Sequence, residues 1–138
     1  MTLTIPSDLS FLPLARAFAE AACRQRGFDE SATAAVVLAV NEALSNVIRH
    51  AHRDRPDTLV HLECVFRPDG LEVRLTDEGP PFNLAGVPQL DPSELRIGGR
   101  GVYIMRALMD ELICEHRGPR GNVLRMIKRI RAAPPADA

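Results

Sequence analysis

The chain has 138 residues, 46% of them hydrophobic, and sets 17 basic against 18 acidic side chains for a net charge of −1. That length suits one compact core and argues against a second domain of ordinary size. The balanced charge supplies no global field that would make nucleic acid or a membrane the main partner. Three cysteines, Cys23, Cys64 and Cys114, are odd in number and widely spaced, which fits neither a disulfide framework nor a Cys-x-x-Cys pair and points to a reducing cytoplasm. No basic stretch precedes an apolar segment at the amino terminus. The longest apolar run, Ala34 to Val40, falls far short of the ~20 residues that span a bilayer, so neither a targeting nor a membrane segment is expected.

After a short apolar start, Ser7 and Asp8 offer caps for a first helix reaching about Gly27, with Pro13 imposing a later start or a kink. Asp29 or Ser31 caps a second, longer helix in which Val37, Val40, Leu44, Val47 and Ala51 recur as an apolar stripe, and which ends before Pro56. Thr58 to Phe66 and Leu71 to Thr76 have strand character. Between them, Pro68-Asp69-Gly70 signals a hairpin, since Asp-Gly tolerates the positive φ of tight turns. From Pro80 to Ile97 the chain carries four of its eleven prolines and no period, the pattern of a lid over a site. Helical character returns from Arg100 to about Asp110, followed by strands at Leu112 to His116 and Asn122 to Ile130 around a Gly118-Pro119-Arg120-Gly121 turn. Residues 132–138 are expected to form a disordered tail, leaving 1–131 as a single domain. Helices first and hairpin-linked strands later predict an α+β sandwich, with helices on one face of a mixed, mainly antiparallel sheet.

Three motifs carry chemistry. Glu42-x-x-x-Asn46 lies on the second helix, where a spacing of four puts both side chains on one strip, about 40° apart around the axis. Asn46 offers a neutral oxygen suited to Mg²⁺, and Glu42 a carboxylate suited to act as a base. The same strip holds Arg49 and Arg53, so a solvated polar face is the alternative reading. Asp77-x-Gly79 closes a strand, where a carboxylate can accept from an adenine amino group and glycine admits a planar base; an ordinary Asp-Gly-Pro turn reads the same way. Gly98-Gly99-Arg100-Gly101 opens a helix with backbone N–H groups free to face an anion, or else serves as a hinge. It is no dinucleotide fingerprint, lacking a third glycine at Ile104, and no P-loop, lacking Gly-Lys-Ser/Thr. In this order the three motifs spell an ATP pocket.

The stretches NEALSNVIRHA, LTDEGPPFN, GGRGVYIMRALMDEL and GNVLRMIKR resemble the GHKL-type ATP-binding fold shared by gyrase, MutL and histidine-kinase catalytic domains. Within that group the chain is most similar to the small bacterial anti-sigma factor serine kinases of the general-stress and sporulation type. The resemblance spans about residues 7 to 131. It implies a two-layer α/β sandwich with ATP held between lid, helices and sheet. Asn46 becomes the magnesium-binding asparagine and Glu42 the carboxylate that activates the phosphate acceptor. Asp77 and Gly79 go to the adenine pocket, Gly99 and Gly101 form the phosphate loop, with Gly98, Arg100 and Val102 beside them as ATP-binding residues, and residues 80–97 become the ATP lid. Relatives often add a basic lid residue at the terminal phosphate; Arg96 and Arg100 both answer that description. Val102 replaces the usual leucine after the loop.

The function so implied is a serine kinase that phosphorylates a small anti-sigma factor antagonist, sequesters a sigma factor and works as a homodimer. The alternative is an ATP-gated binding module without transfer. The catalytic half of a histidine kinase is disfavoured, because 138 residues leave no dimerisation helix bearing a phosphorylatable histidine. His50, His52, His61 and His116 show no metal-ligand spacing, and Lys128, Arg129 and Arg131 read as charges on a solvated strand edge.

Overall fold

The computed structural model describes residues 1–51, 57–78, 100–117 and 121–130, with His50, Ala51 and Arg100 described in their backbone only. The expectations for Gly79, Gly98, Gly99, Arg96, the 80–97 lid and the 132–138 tail lie outside these residues.

Five strands form one sheet: β1 (Thr2–Pro6), β2 (Leu59–Arg67), β3 (Gly70–Asp77), β4 (Glu111–His116) and β5 (Asn122–Arg129). Their order is β1-β2-β3-β5-β4, and every described pairing is antiparallel. The helices α1 (Leu12–Arg26), α2 (Glu30–Asn46) and α3 (Arg100–Leu108) cover one face, with α2 packed against both of the others. This is the expected α+β sandwich, without the parallel pair that a mixed sheet would carry.

Local chemistry explains the boundaries. Asp8 caps not α1 itself but a single 3-10 turn, Leu9–Phe11, by accepting from the Ser10 N–H at 2.9 Å; Pro13 then falls in the first turn of α1, where its missing N–H costs nothing. Gly27 ends α1 in the left-handed conformation at φ 91°. Asp29 caps α2, accepting from the Ala32 N–H at 2.8 Å. The end of α1 is tied to the β2–β3 hairpin by Arg26, whose guanidinium donates to the carbonyls of Arg67, Pro68 and Gly70 at 2.9 to 3.1 Å.

Alternation along β3 sends Leu71, Val73, Leu75 and Asp77 toward the helices, where they meet Val36, Val40, Ala43 and Leu44 of α2 and Val102 and Met105 of α3. The buried stripe of α2 is centred one position from the expected one: Val36, Ala39 and Val40 are fully buried while Val37 is half-buried. By length and composition Glu30–Arg49 is apolar enough to cross a membrane, yet its buried side chains form the centre of this core.

Two expectations change. Gly70 is not at positive φ; it is there because a Cβ would overlap the Lys128 carbonyl of the neighbouring strand. And β5 is no edge: it lies between β3 and β4, so Lys128 turns to the helix layer and donates to the Leu108 carbonyl at 2.7 Å, while Arg129 pairs with Glu111 and Asp69 on the open face.

Candidate nucleotide site

Four element ends converge at one end of the sandwich: the end of α2, the start of α3, the end of β3 and the start of β5. Just past Asn46, α2 widens into a π-helical turn, Val47–Ala51, a local geometry found often at functional sites. Glu42 and Asn46 are both half-buried, while Arg49 on the same strip is exposed. Asn46 meets the second residue of α3. A Cβ built on Gly101 would stand 2.5 Å from Asn46 Nδ2 and 3.2 Å from its Oδ1, so only glycine at 101 leaves the amide its place. The first and third motifs are therefore in contact although 55 positions separate them in the chain.

Asp77 ends β3 on the helix-facing side and is buried at 5% exposure. Its Oδ1 accepts from Asn122 Nδ2 at 3.1 Å, and Asn122 Oδ1 lies 3.2 Å from His116 Nδ1. The three residues sit at one level across three adjacent strands. Asn122, 3% exposed, follows Gly121 at φ 87°, where any Cβ would overlap the Asp77 carbonyl oxygen. Neither motif chemistry nor spacing singles out Asn122 or His116 as neighbours of Asp77; the sequence signal nearest to it is the Gly121-Asn122 pair that opens the stretch GNVLRMIKR.

Val102 is 1% exposed with its side chain in the core, so any ligand contact from it comes through the backbone. Arg100 opens α3. Cys114, half-buried on β4, has its thiol pushed up by burial first and then by the negative charge of Asp77. No cluster of three His, Cys, Asp or Glu able to hold a metal occurs among the described residues. The Asn46 amide oxygen is a donor of the kind Mg²⁺ accepts alongside water and phosphate oxygens. The vacant Cβ position of Gly101, which keeps the Asn46 amide in place, fits that use. A separate cavity of about 580 Å³, between Phe28, Ala32, Leu108 and Lys128 near the start of α2, holds none of the motif residues.

Residues 5–128 match the family described as the histidine kinase-like ATPase domain. The chain belongs to this family. Among its relatives, a protein of Listeria monocytogenes serotype 4a named serine-protein kinase RsbW is 31% identical over 120 residues, covering 81% of this chain and 76% of its own. The Bacillus subtilis protein of the same name is 27% identical, covering 84% and 78%. Among solved structures, the histidine kinase domain from the Erythrobacter litoralis EL346 blue-light activated histidine kinase superposes with a TM-score of 0.51 at 24% identity. That match covers 88% of this chain and 60% of the other, and it speaks to fold alone.

Proposed function

We propose that the chain is an ATP-dependent protein serine kinase acting as an anti-sigma factor. It phosphorylates a serine of a small antagonist protein and otherwise sequesters a sigma factor. The observation that carries this reading is the seat of Asn46 against Gly101, which joins a would-be metal ligand to a would-be phosphate loop. Family membership and relatives named serine-protein kinases support it.

On this reading the Asp77 carboxylate accepts from the adenine amino group and Gly79 admits the planar base. Gly98, Gly99 and Gly101 bring backbone N–H groups and the positive end of α3 to the phosphates, with Arg100 and Val102 completing the loop. Asn46 would hold Mg²⁺ by its amide oxygen, and the ion, when bound, would supply charge neutralisation to the transferring phosphoryl group; Glu42 stands one turn away on the same strip. The serine oxygen bonds to the γ-phosphorus as the bond from that phosphorus to the β–γ bridging oxygen breaks. ADP leaves with the electron pair and Glu42 takes the serine proton. The same reading carries a homodimer, a cytoplasmic site of action and a single domain over 1–131 with its lid at 80–97. Nucleic acid and membrane have no part in it.

The test is Glu42→Ala, assayed with labelled ATP and the antagonist protein. Nucleotide binding is expected to persist while label on serine disappears. Wild-type transfer by that variant would remove Glu42 from the chemistry. ATP binding by the wild type with no phosphoserine formed would establish the ATP-gated module instead.

A further inference from the structure

The carboxylate of Asp77 does not stand by itself; a hydrogen-bonded chain crosses the sheet behind it. The amide nitrogen of Asn122 faces Asp77 Oδ1 at 3.1 Å, and its oxygen faces His116 Nδ1 at 3.2 Å. Each group dictates the next. A carboxylate oxygen only accepts, so it requires the amide to present N–H; turned over, the amide would set two buried acceptors against each other. The amide oxygen also only accepts, so His116 Nδ1 must carry the hydrogen. The order of donation is then His116 Nδ1–H to Asn122 Oδ1, and Asn122 Nδ2–H to Asp77 Oδ1.

The backbone leaves this chain little play. Asp77 pairs with Asn122 and Asn122 with His116 in the strand registers, and all three side chains point to the helix layer. Gly121 brings the start of β5 against the Asp77 carbonyl, closer than any other residue would allow. The Arg117 N–H donates to the Gly121 carbonyl at 2.8 Å, one position beyond the His116–Asn122 pair.

We propose that His116 and Asn122 are positioning residues that set the orientation of Asp77, and through it the preference for a purine bearing an exocyclic amino donor over one bearing a 6-oxo group. This inference rests on the reading of Asp77 as the adenine acceptor. A carboxylate turned to accept from an amino group gains a charge-assisted hydrogen bond with adenine and faces another acceptor in hypoxanthine. The discrimination depends on direction as well as on charge, and direction is what the amide and the imidazole impose.

The experiment measures affinities of the full chain for ATP and for inosine triphosphate with Mg²⁺, comparing the wild type with Asn122→Leu, His116→Leu and His116→Asn. Asn122→Leu is expected to weaken ATP about tenfold or more while leaving inosine triphosphate within about twofold, the loss of one buried hydrogen bond to a charged group. His116→Leu shifts the ratio the same way by a smaller factor. His116→Asn, whose amide nitrogen can stand where Nδ1 stood, restores the wild-type ratio. Equal losses for both nucleotides, or an unchanged ratio in His116→Leu, would overturn the proposal and leave these residues a structural role. A measurement on the wild type needs no variant to fold: nitrogen NMR of neutral His116 should report the Nδ1–H tautomer, and the Nε2–H tautomer would overturn the relay. A wild type that binds neither nucleotide defeats the ATP reading itself, an outcome distinct from a wild type that binds ATP with a ratio indifferent to His116.

Discussion

Gly101→Ala separates the site from the fold. The added Cβ would stand 2.5 Å from Asn46 Nδ2, inside any real contact distance, and the atom it meets is the end of a side chain that can turn away. Turning an amide off its preferred rotamer costs about 0.5–1.5 kcal/mol. Replacing glycine by alanine in a helix returns up to about 1 kcal/mol. The two offset one another, so the unfolding free energy should stay within about 1 kcal/mol of wild type. Binding has no such offset. If Asn46 holds Mg²⁺ over the phosphates, displacing it removes a contact to a charged group worth about 1.5–3 kcal/mol, or roughly 10- to 150-fold in affinity. Urea denaturation gives the first quantity, and calorimetric titration with Mg²⁺ and a non-hydrolysable ATP analogue gives the second. The Asn46→Ala and Gly101→Ala/Asn46→Ala variants complete a cycle, in which the double variant should bind no worse than Asn46→Ala alone. Unchanged affinity in Asn46→Ala would refute a role for Asn46 in binding, and additive losses in the double variant would refute the claim that Gly101 acts through it.

Glu72, 1% exposed on the open face of the sheet, meets the guanidinium groups of Arg67 at 2.7 Å, Arg125 at 3.0 Å and Arg74. Hydrogen bonds from Arg125 first, then from Arg74 and Arg67, outweigh burial and hold its carboxyl at about 2 against an ordinary 4.5. A depressed folded value stabilises above pH 4.5 and is lost as pH falls toward 2. The shift amounts to at most about 3 kcal/mol, reduced by solvent screening of the half-exposed arginines. Glu72→Gln should therefore cost about 2 kcal/mol at pH 7, with the gap to wild type closing in acid; a gap that stays constant with pH refutes the assignment. Burial also raises the thiols of Cys23 to about 12 and Cys64 to about 11. At pH 8 both should resist alkylation in the folded chain and react once it is unfolded, since the thiolate is the nucleophile. Mass spectrometry that finds Cys23 labelled as fast in native protein as in denatured would contradict their burial.

Period and caps located most elements within one or two residues because those signals are local. Asp29, Gly27 and the Pro68-Asp69-Gly70 turn each act on a neighbour in the chain. β1 escaped notice because Thr2–Pro6 is five residues long and its partner, β2, begins at Leu59. Glu72 showed the same limit. Alternation along β3 puts it on the open face, where a lone glutamate reads as solvated; Arg74 comes from its own strand, but Arg67 and Arg125 reach it only once β2 and β5 pair on either side.

The candidate site divides along the same line. The identities of Glu42, Asn46, Asp77 and Gly101 stood out as types suited to a nucleotide, yet each kept an ordinary alternative, because a motif states what a residue can do and not what it faces. The contact of Asn46 with Gly101 takes Asn46 itself out of open solvent, and it arises only when α3 folds back beside α2. The chain behind Asp77 was further from reach. β3 pairs with β5 rather than with β4, the next strand after it, so no hairpin rule places Asn122 beside Asp77. Once it is placed there, hydrogen-bond chemistry alone fixes the amide and then the imidazole. His116, unremarkable by spacing, gains a specific role from a strand order that local sequence does not encode.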